Sequence, residues 1–433
     1  MRINVKSESI MDINNKKVIP SLRFPTFEND GEWKTKKLGE IADFYKGKGI
    51  SKTETSEKGR TPCIRYGELY TYYKEIIKEI KSFTDIPTDE LFLSKANDIV
   101  IPSSGETKED ISTASCIMKD KIALGGDINV IRSSNDGVFL SYYLNYAKKN
   151  DIAKIAQGIS IIHLYNEQLK TLQICIPSII EQRKIASCLS TLDELITINN
   201  EKLEQLKTYK KGLMQKLFPV KGQKQPELRF KEFEKNGVWG VKSIGKVAEL
   251  YQGYGFPEKL QGKSKGKYPF IKVSDISATV NKGFWYLNKA VNYVDEDDLI
   301  LIKANPLPIG TIVFAKIGEA IRLNRRVILG QESLIDNNVA GVKAIPALLD
   351  DDFLYYIMLM IDLTKYAGGV VPAIKKSSIE AIEFFLPPTL YEQRKIADCL
   401  ISIDEMIIQY TNKVAMLEQH KKGLIQQLIP ISK

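Results

Sequence analysis

Four stretches of the chain set cations beside glycines and hydrogen-bonding side chains: "YKGKGISKTETSEKGR" (45–60), "PSSGETKED" (102–110), "YQGYGFPEKLQGKSKGKY" (251–268) and "AIRLNRRV" (320–327). Lys and Arg neutralise phosphates, Arg, Asn, Gln and Ser hydrogen-bond base edges, and glycine lets a loop pass close to another backbone. Each stretch taken alone also reads as a solvated surface loop. Corresponding basic loops in two halves of one chain weigh toward a polyanion surface.

The residues needed for covalent chemistry are harder to assemble. An amino-methyltransferase needs an Asp/Asn-Pro-Pro-aromatic tetrapeptide to grip a base, and "LPPTL" at 386 and "ANPLP" at 304 have the wrong residues for that work. "GKSKGKY" at 262–268 imitates a phosphate-binding loop but spaces its glycines by three residues instead of four, and Tyr268 stands where a Mg²⁺-binding Ser or Thr belongs. His163, in "SIIHLYN", sits among apolar residues and reads as a core or edge histidine. The acidic run "DEDD" at 295–298 reads as a solvated turn. The five cysteines (Cys63, Cys116, Cys175, Cys188, Cys399) lie far apart, with only His163 and His420 to join them on a metal, so no metal site is expected and a reducing compartment is.

Composition agrees with a globular, two-domain chain. Its 433 residues exceed what one hydrophobic core usually serves, and 43% hydrophobic with 27% charged residues leaves no case for disorder. The 62 Lys plus Arg against 53 Asp plus Glu leave a formal +9, which permits polyanion binding without demanding it. The N-terminal stretch lacks an apolar signal-peptide core, and no apolar run approaches the ~18 residues of a membrane span, so a cytoplasmic protein is expected.

The elements that must position these loops are written twice. Shifted by 211, residues 181–219 match 392–430 at 20 of 39 positions without a gap, including "EQRKIASCL" against "EQRKIADCL". Shifted by 206, residues 20–47 match 226–253 at 13 of 28. Between these ends the two fillings diverge, which reads as a duplicated domain rather than a solenoid. Residues 20–177 and 226–387 carry short β-branched and aromatic runs broken by turn residues, such as "NDIVIPSSGE", "GGDINVIRSS" and "GTIVFAKIGE", and predict mainly β domains. "GVFLSYYLNYAKK" and "DDFLYYIMLMIDL" are the internal helical candidates.

After each "EQRKIA" a seam steps by 4 and 3: Ile185, Leu189, Leu192, Ile196, Asn199, Leu203, Leu206, Lys210, Leu213, Leu217, and again Ile396, Leu400, Ile403, Ile407, Tyr410, Val414, Leu417, Lys421, Leu424, Leu428. Five heptads at a 3.5 period predict a coiled-coil seam, stopped by proline after Phe218 and Ile429. If a pseudo-two-fold axis relates the halves, the two helices should pack antiparallel and act as a spacer. Asn199, Lys210 and Lys421 interrupt the seam, either to fix register or to leave a face for partner helices.

With both repeats laid out, the chain resembles the specificity subunit of a Type I restriction-modification system. The carriers are "LRFPTFENDGEWKTKKLGEIA" and "LRFKEFEKNGVWGVKSIGKVA" opening the halves, and "GISIIHLYNEQLKTLQICIPSIIEQRKIASCL" and "LPPTLYEQRKIADCL" closing them. The resemblance implies an α+β chain with two mainly β target recognition domains related by pseudo-two-fold symmetry and separated by a long antiparallel two-helix coiled coil. The expected division is an N-terminal arm (1–19), a first recognition domain (20–177), a central spacer helix and linker (178–225), a second recognition domain (226–387) and a distal spacer helix (388–433).

By the same resemblance the chain catalyses nothing and holds no cofactor. It would read a bipartite, asymmetric double-stranded DNA target and dock two methyltransferase subunits on its helices. Restriction and motor subunits would join a complex with adenine methyltransferase and ATP-dependent endonuclease activity, without a membrane. For DNA contact the candidates are Lys46, Lys48, Lys52, Arg60, Arg65, Ser104 and Lys108 in the first half. In the second they are Tyr254, Lys263, Lys265, Lys267, Lys272, Arg322, Asn324, Arg325 and Arg326, with Arg and Asn favoured as readers and Lys as phosphate clamps. The rival readings are a coiled-coil scaffold that never touches DNA and a subunit with its own nuclease activity.

Overall fold

The computed structural model describes residues 18–158, 161–220 and 222–431, so most of the expected N-terminal arm lies outside the described residues. The chain divides into two compact units: Met1–Thr197 with Ala415–Lys433, and Ile198–Val414. Each unit therefore takes its helices from both sequence repeats. The first long helix, Ile179–Leu217, begins in unit 1 and ends in unit 2, and the second, Leu390–Leu428, begins in unit 2 and ends in unit 1.

The β-rich fillings fold alike. In unit 1 a five-stranded sheet runs in the order Ala42–Lys46, Ile128–Ser133, Ile99–Pro102, Ser115–Ile117, Ile76–Ile77, antiparallel except for its last pair. Unit 2 repeats that order with Ala248–Gln252, Val339–Ala344, Ile312–Ala315, Arg326–Leu329 and Tyr286–Leu287, again with a parallel last pair. The central strands are buried on both faces, which is why "IVIP" and "IVFA" read as unbroken apolar runs rather than alternating ones. The expected internal helices form at Gly137–Ala147 and Asp351–Met360 and pack into the cores beside Trp33 and Trp239.

The duplicated motifs are the joints of each unit. Glu181 of "EQRKIA" takes a bidentate pair from Arg23 of "LRF" (2.8 and 2.7 Å), and Glu392 takes the same pair from Arg229 (2.7 and 2.8 Å). All four side chains are nearly sealed from solvent, and Trp239 Nε1 also donates to Glu392. The following glutamine accepts the backbone N–H of the residue that caps the internal helix: Gln182 from Asp136 (3.0 Å) and Gln393 from Asp350 (2.9 Å). Glu and Gln thus tie the opening segment, the internal helix and the long helix together.

The lysines on the seams are resolved by the same symmetry. Lys210 pairs with Asp404 at 2.6 Å inside unit 2, and Lys421 pairs with Asp193 at 2.7 Å inside unit 1. Each aspartate also accepts a tyrosine hydroxyl, from Tyr356 (2.8 Å) and Tyr142 respectively, and each lysine lies 5.2 Å from that tyrosine's ring centre. Burial, reinforced by the neighbouring carboxylate, holds both hydroxyls far above the usual phenol range, so they stay protonated and donate. Of the two roles open for Lys210 and Lys421, these pairs fit register-setting.

The remaining seam positions are buried or half-buried. In unit 1 the helix pair is antiparallel, with Ile185 and Leu189 sharing a core with Leu424 and Leu428. In unit 2 Leu213 and Leu217 share one with Ile396 and Leu400. Asn199 is buried at 4% exposure.

Removing one member of such a pair strands a buried charge, at a cost of about 3–5 kcal/mol. Glu392→Gln should lower stability by that amount in chemical denaturation followed by tryptophan fluorescence, and a loss below about 1 kcal/mol would refute the joint. Lys210→Met should cost about 3 kcal/mol and Lys210→Met with Asp404→Asn less than the sum of the singles; additive costs would mean the pair is not coupled.

Candidate nucleic-acid interface

Both basic loops leave the sheet through a glycine that nothing else can replace. A Cβ on Gly47 would meet Gly125 O at 2.0 Å, and one on Gly253 would meet Asp336 O at 1.9 Å. Passing that close, each loop crosses a neighbouring backbone segment of its own unit and continues onto a second, smaller sheet, held in unit 1 by Lys48 N–H to Leu124 O (2.8 Å) and in unit 2 by Tyr254 N–H to Ile335 O (2.8 Å).

In unit 1, Lys46, Lys48, Lys52, Arg60 and Lys108 are exposed, while Arg65 and Ser104 are half-buried. Arg60 reaches Asp85 at 3.3 Å with both side chains mostly in water, a pair too solvated to hold it back from a phosphate. Arg65 opens the helix Tyr66–Thr71, its N–H bonded to Glu68 Oε2 (2.8 Å). Lys52, Arg60 and Arg65 belong to the small sheet and the loop over it; elsewhere Ser104 Oγ lies 3.2 Å from His163 Nδ1, Lys108 opens the helix that follows Ser104, and Asn166 binds the Tyr45 carbonyl (3.0 Å). His163 is not among the candidate contact residues.

In unit 2 several candidates are already engaged. Lys263 pairs with Asp295 and with Asp298 (3.2 Å), and Lys267 with Glu296, so "DEDD" is not a bare turn: it opens the helix Glu296–Ile302 and clamps the glycine-lysine loop. Lys263 and Lys267 hold the Asp295 and Glu296 carboxyls below the usual range. Lys265 is exposed. Lys272 bonds Gln261 (2.9 Å) over the Phe256 ring, and the half-buried Tyr254 hydroxyl accepts Asn305 N–H (3.3 Å).

The segment 319–326 separates its cations by a helical turn and a left-handed residue that lead into a fully buried strand. Arg322 is exposed beside Glu319 (3.0 Å), and Arg325 is half-buried with Nη2 on Asn281 (2.9 Å). Asn324 takes a left-handed turn (φ 49°) and binds Asp362 (3.0 Å). Arg326 corrects the expectation: it is 2% exposed, opens a central strand, and donates to the carbonyls of Asn324 (2.6 Å) and Ile361. Burial pushes its guanidinium down to about 10, so it stays charged at neutral pH and holds the turn from inside. Lys316, not among the candidates, donates to Gln252 at the sheet edge. Shifting 99–106 onto 312–319 places Lys316 opposite Ser103 and Ile317 opposite Ser104, a signal present in the sequence.

Among the described residues no cluster of His, Cys, Asp or Glu could hold a metal, and no helix is long and apolar enough to cross a membrane. All five cysteines are free thiols, and burial pushes Cys63 and Cys116 up to about 12, which makes them poor nucleophiles. The arrangement suits binding: exposed cations, aromatic faces and hydrogen-bonding groups on rigid edges.

Arg322→Ala should weaken DNA binding with no change in melting temperature, whereas Arg326→Ala should lower the melting temperature by several degrees. The reverse pattern would put Arg326 at the interface.

Comparison with known proteins places this arrangement. The family model described as the Type I restriction modification DNA specificity domain matches residues 30–208 and 236–419. The Type I restriction enzyme MjaVIII specificity subunit of Methanocaldococcus jannaschii is 25% identical over 440 residues, covering 96% of this chain and 95% of that one. Among solved structures, the S subunit of a Type I restriction-modification system from M. genitalium superposes with a TM-score of 0.64 at 15% identity, covering 96% of this chain and all of that one. A chain from a study of complex assembly and conformational transition of the type I R-M system gives 0.52 at 15%, covering 92% and 96%. Two copies of the DNA-specificity domain, with a long helix running from one unit into the other, make this chain a member of the Type I restriction-modification specificity subunit family.

Proposed function

We propose that the chain reads a bipartite, asymmetric DNA target, one unit per half-site, and docks two methyltransferase subunits on its long helices, to which restriction and motor subunits add. The observation that carries this reading is the pair of five-stranded sheets with one strand order and chemically unlike loops. A shared scaffold with different contact residues is what two different half-sites require. The long helices support a gapped target: 39 residues at ~1.5 Å per residue give about 58 Å, more than the ~34 Å between sites one helical turn apart on one face of B-DNA. Catalysis then belongs to the partners, with adenine methylation and ATP-dependent cleavage as properties of the complex.

The test uses the chain assembled with the methyltransferase subunits of its system. Duplexes selected from a random pool should share two unlike blocks at a fixed spacing, and the logarithm of affinity should fall with the logarithm of salt, with a slope about one unit shallower for Arg322→Ala. Selection of no sequence would favour the scaffold reading, and Mg²⁺-dependent cleavage by the chain alone would favour the nuclease.

A further inference from the structure

The antiparallel pairing of Ser104–Gly105 with Ile162–His163 is a built edge on unit 1. His163 is fixed from both sides, its strand paired with Ser104–Gly105 and its backbone exchanging hydrogen bonds with Gln157 (2.6 and 2.9 Å). Its ring is oriented by Ser104 Oγ at 3.2 Å from Nδ1 and by stacking on Tyr165, with centroids 6.2 Å apart and planes 22° apart. The ring is half-exposed and Tyr165 is 52% exposed, so imidazole, hydroxyl and aromatic face meet water together.

Unit 2 keeps the backbone and changes the chemistry. Ile317 bridges Ala373 where Ser104 pairs with His163, and Ile374 N–H binds Lys316 O (2.9 Å) where Leu164 N–H binds Ser103 O (3.1 Å). One scaffold thus presents a polar pair in one unit and an aliphatic pair in the other, with Lys108 on the helix after Ser104 in unit 1 and Lys316 just before Ile317 in unit 2. A hydroxyl hydrogen-bonded to an imidazole leaves the ring's other nitrogen to hydrogen-bond a base edge, while Ile and Ala favour a methyl group. A preorganised pair on a paired strand also holds its geometry better than a free loop.

We propose that His163, with Ser104, is a specificity-determining pair that reads a base edge in one half-site, and that Ile317 and Ala373 are the corresponding apolar readers in the other. This rests on the DNA-reading function proposed above.

The experiment takes the chain assembled with its methyltransferase subunits, the duplex it selects from a random pool, and a series of single base-pair changes across both blocks. His163→Ala should lower affinity for the selected duplex about tenfold, flatten the preference at one or two base pairs of a single block, and leave affinity for random duplex unchanged. His163→Gln, which keeps a donor and an acceptor, should restore part of that preference and carries the same test if the alanine variant fails to assemble. Ile317→Ser with Ala373→His should alter preference in the other block only. Equal loss on selected and random duplex, or an unchanged base profile, would overturn the pair. A wild-type complex that selects no sequence would overturn the DNA-reading function itself, a result distinct from failure of His163 alone.

Discussion

A lysine on one long helix held against an aspartate on the other is the contact on which the rest of each unit depends. Its net contribution to stability is small, because desolvating two charges offsets most of their attraction. Its effect on register is large. Sliding either helix by one heptad would bury Lys210 and Asp404, or Lys421 and Asp193, without partners, and would also strand the hydroxyls of Tyr356 or Tyr142. Leucine seams alone tolerate such slips; a buried charge does not.

From that register the geometry of each unit follows. Once the helix pair is fixed, Glu181 and Glu392 stand where Arg23 and Arg229 can meet them, and Gln182 and Gln393 stand where they secure the caps of the internal helices. The internal helix supports the five-stranded sheet, and the sheet edge aims the loops. Gly47 and Gly253 then let those loops cross the neighbouring backbone. The exposed loop residues can diverge between the halves because this positioning does not depend on them.

Much of this scaffold is legible in the sequence, because helical seams and duplicated motifs are local patterns. The 4-and-3 steps locate both long helices, and the two prolines locate their ends. What could not be read is pairing across long separations: nothing in "EQRKIA" names an arginine 158 positions earlier, and nothing on the seam distinguishes Asp404 as the partner of Lys210. The placement of the candidate cations was only partly legible for a related reason. Adjacent arginines 325 and 326 look equivalent, but Arg325 lies in the turn before the strand and stays half-buried, whereas Arg326 is the first residue of "RVIL", a strand buried on both faces. His163, which reads as a core or edge histidine, lies half-exposed on a two-stranded edge, with its neighbours Ile162 and Leu164 buried on the other face.

The central claim is that two unlike reading units act on one duplex. Sequencing the methylated adenines in DNA from a host that carries the intact system tests it most directly. The account calls for a single asymmetric motif of two short blocks separated by a constant unspecified gap, with one methylated adenine in each block. A contiguous palindromic motif would contradict it, since two chemically different units cannot read the same half-site twice.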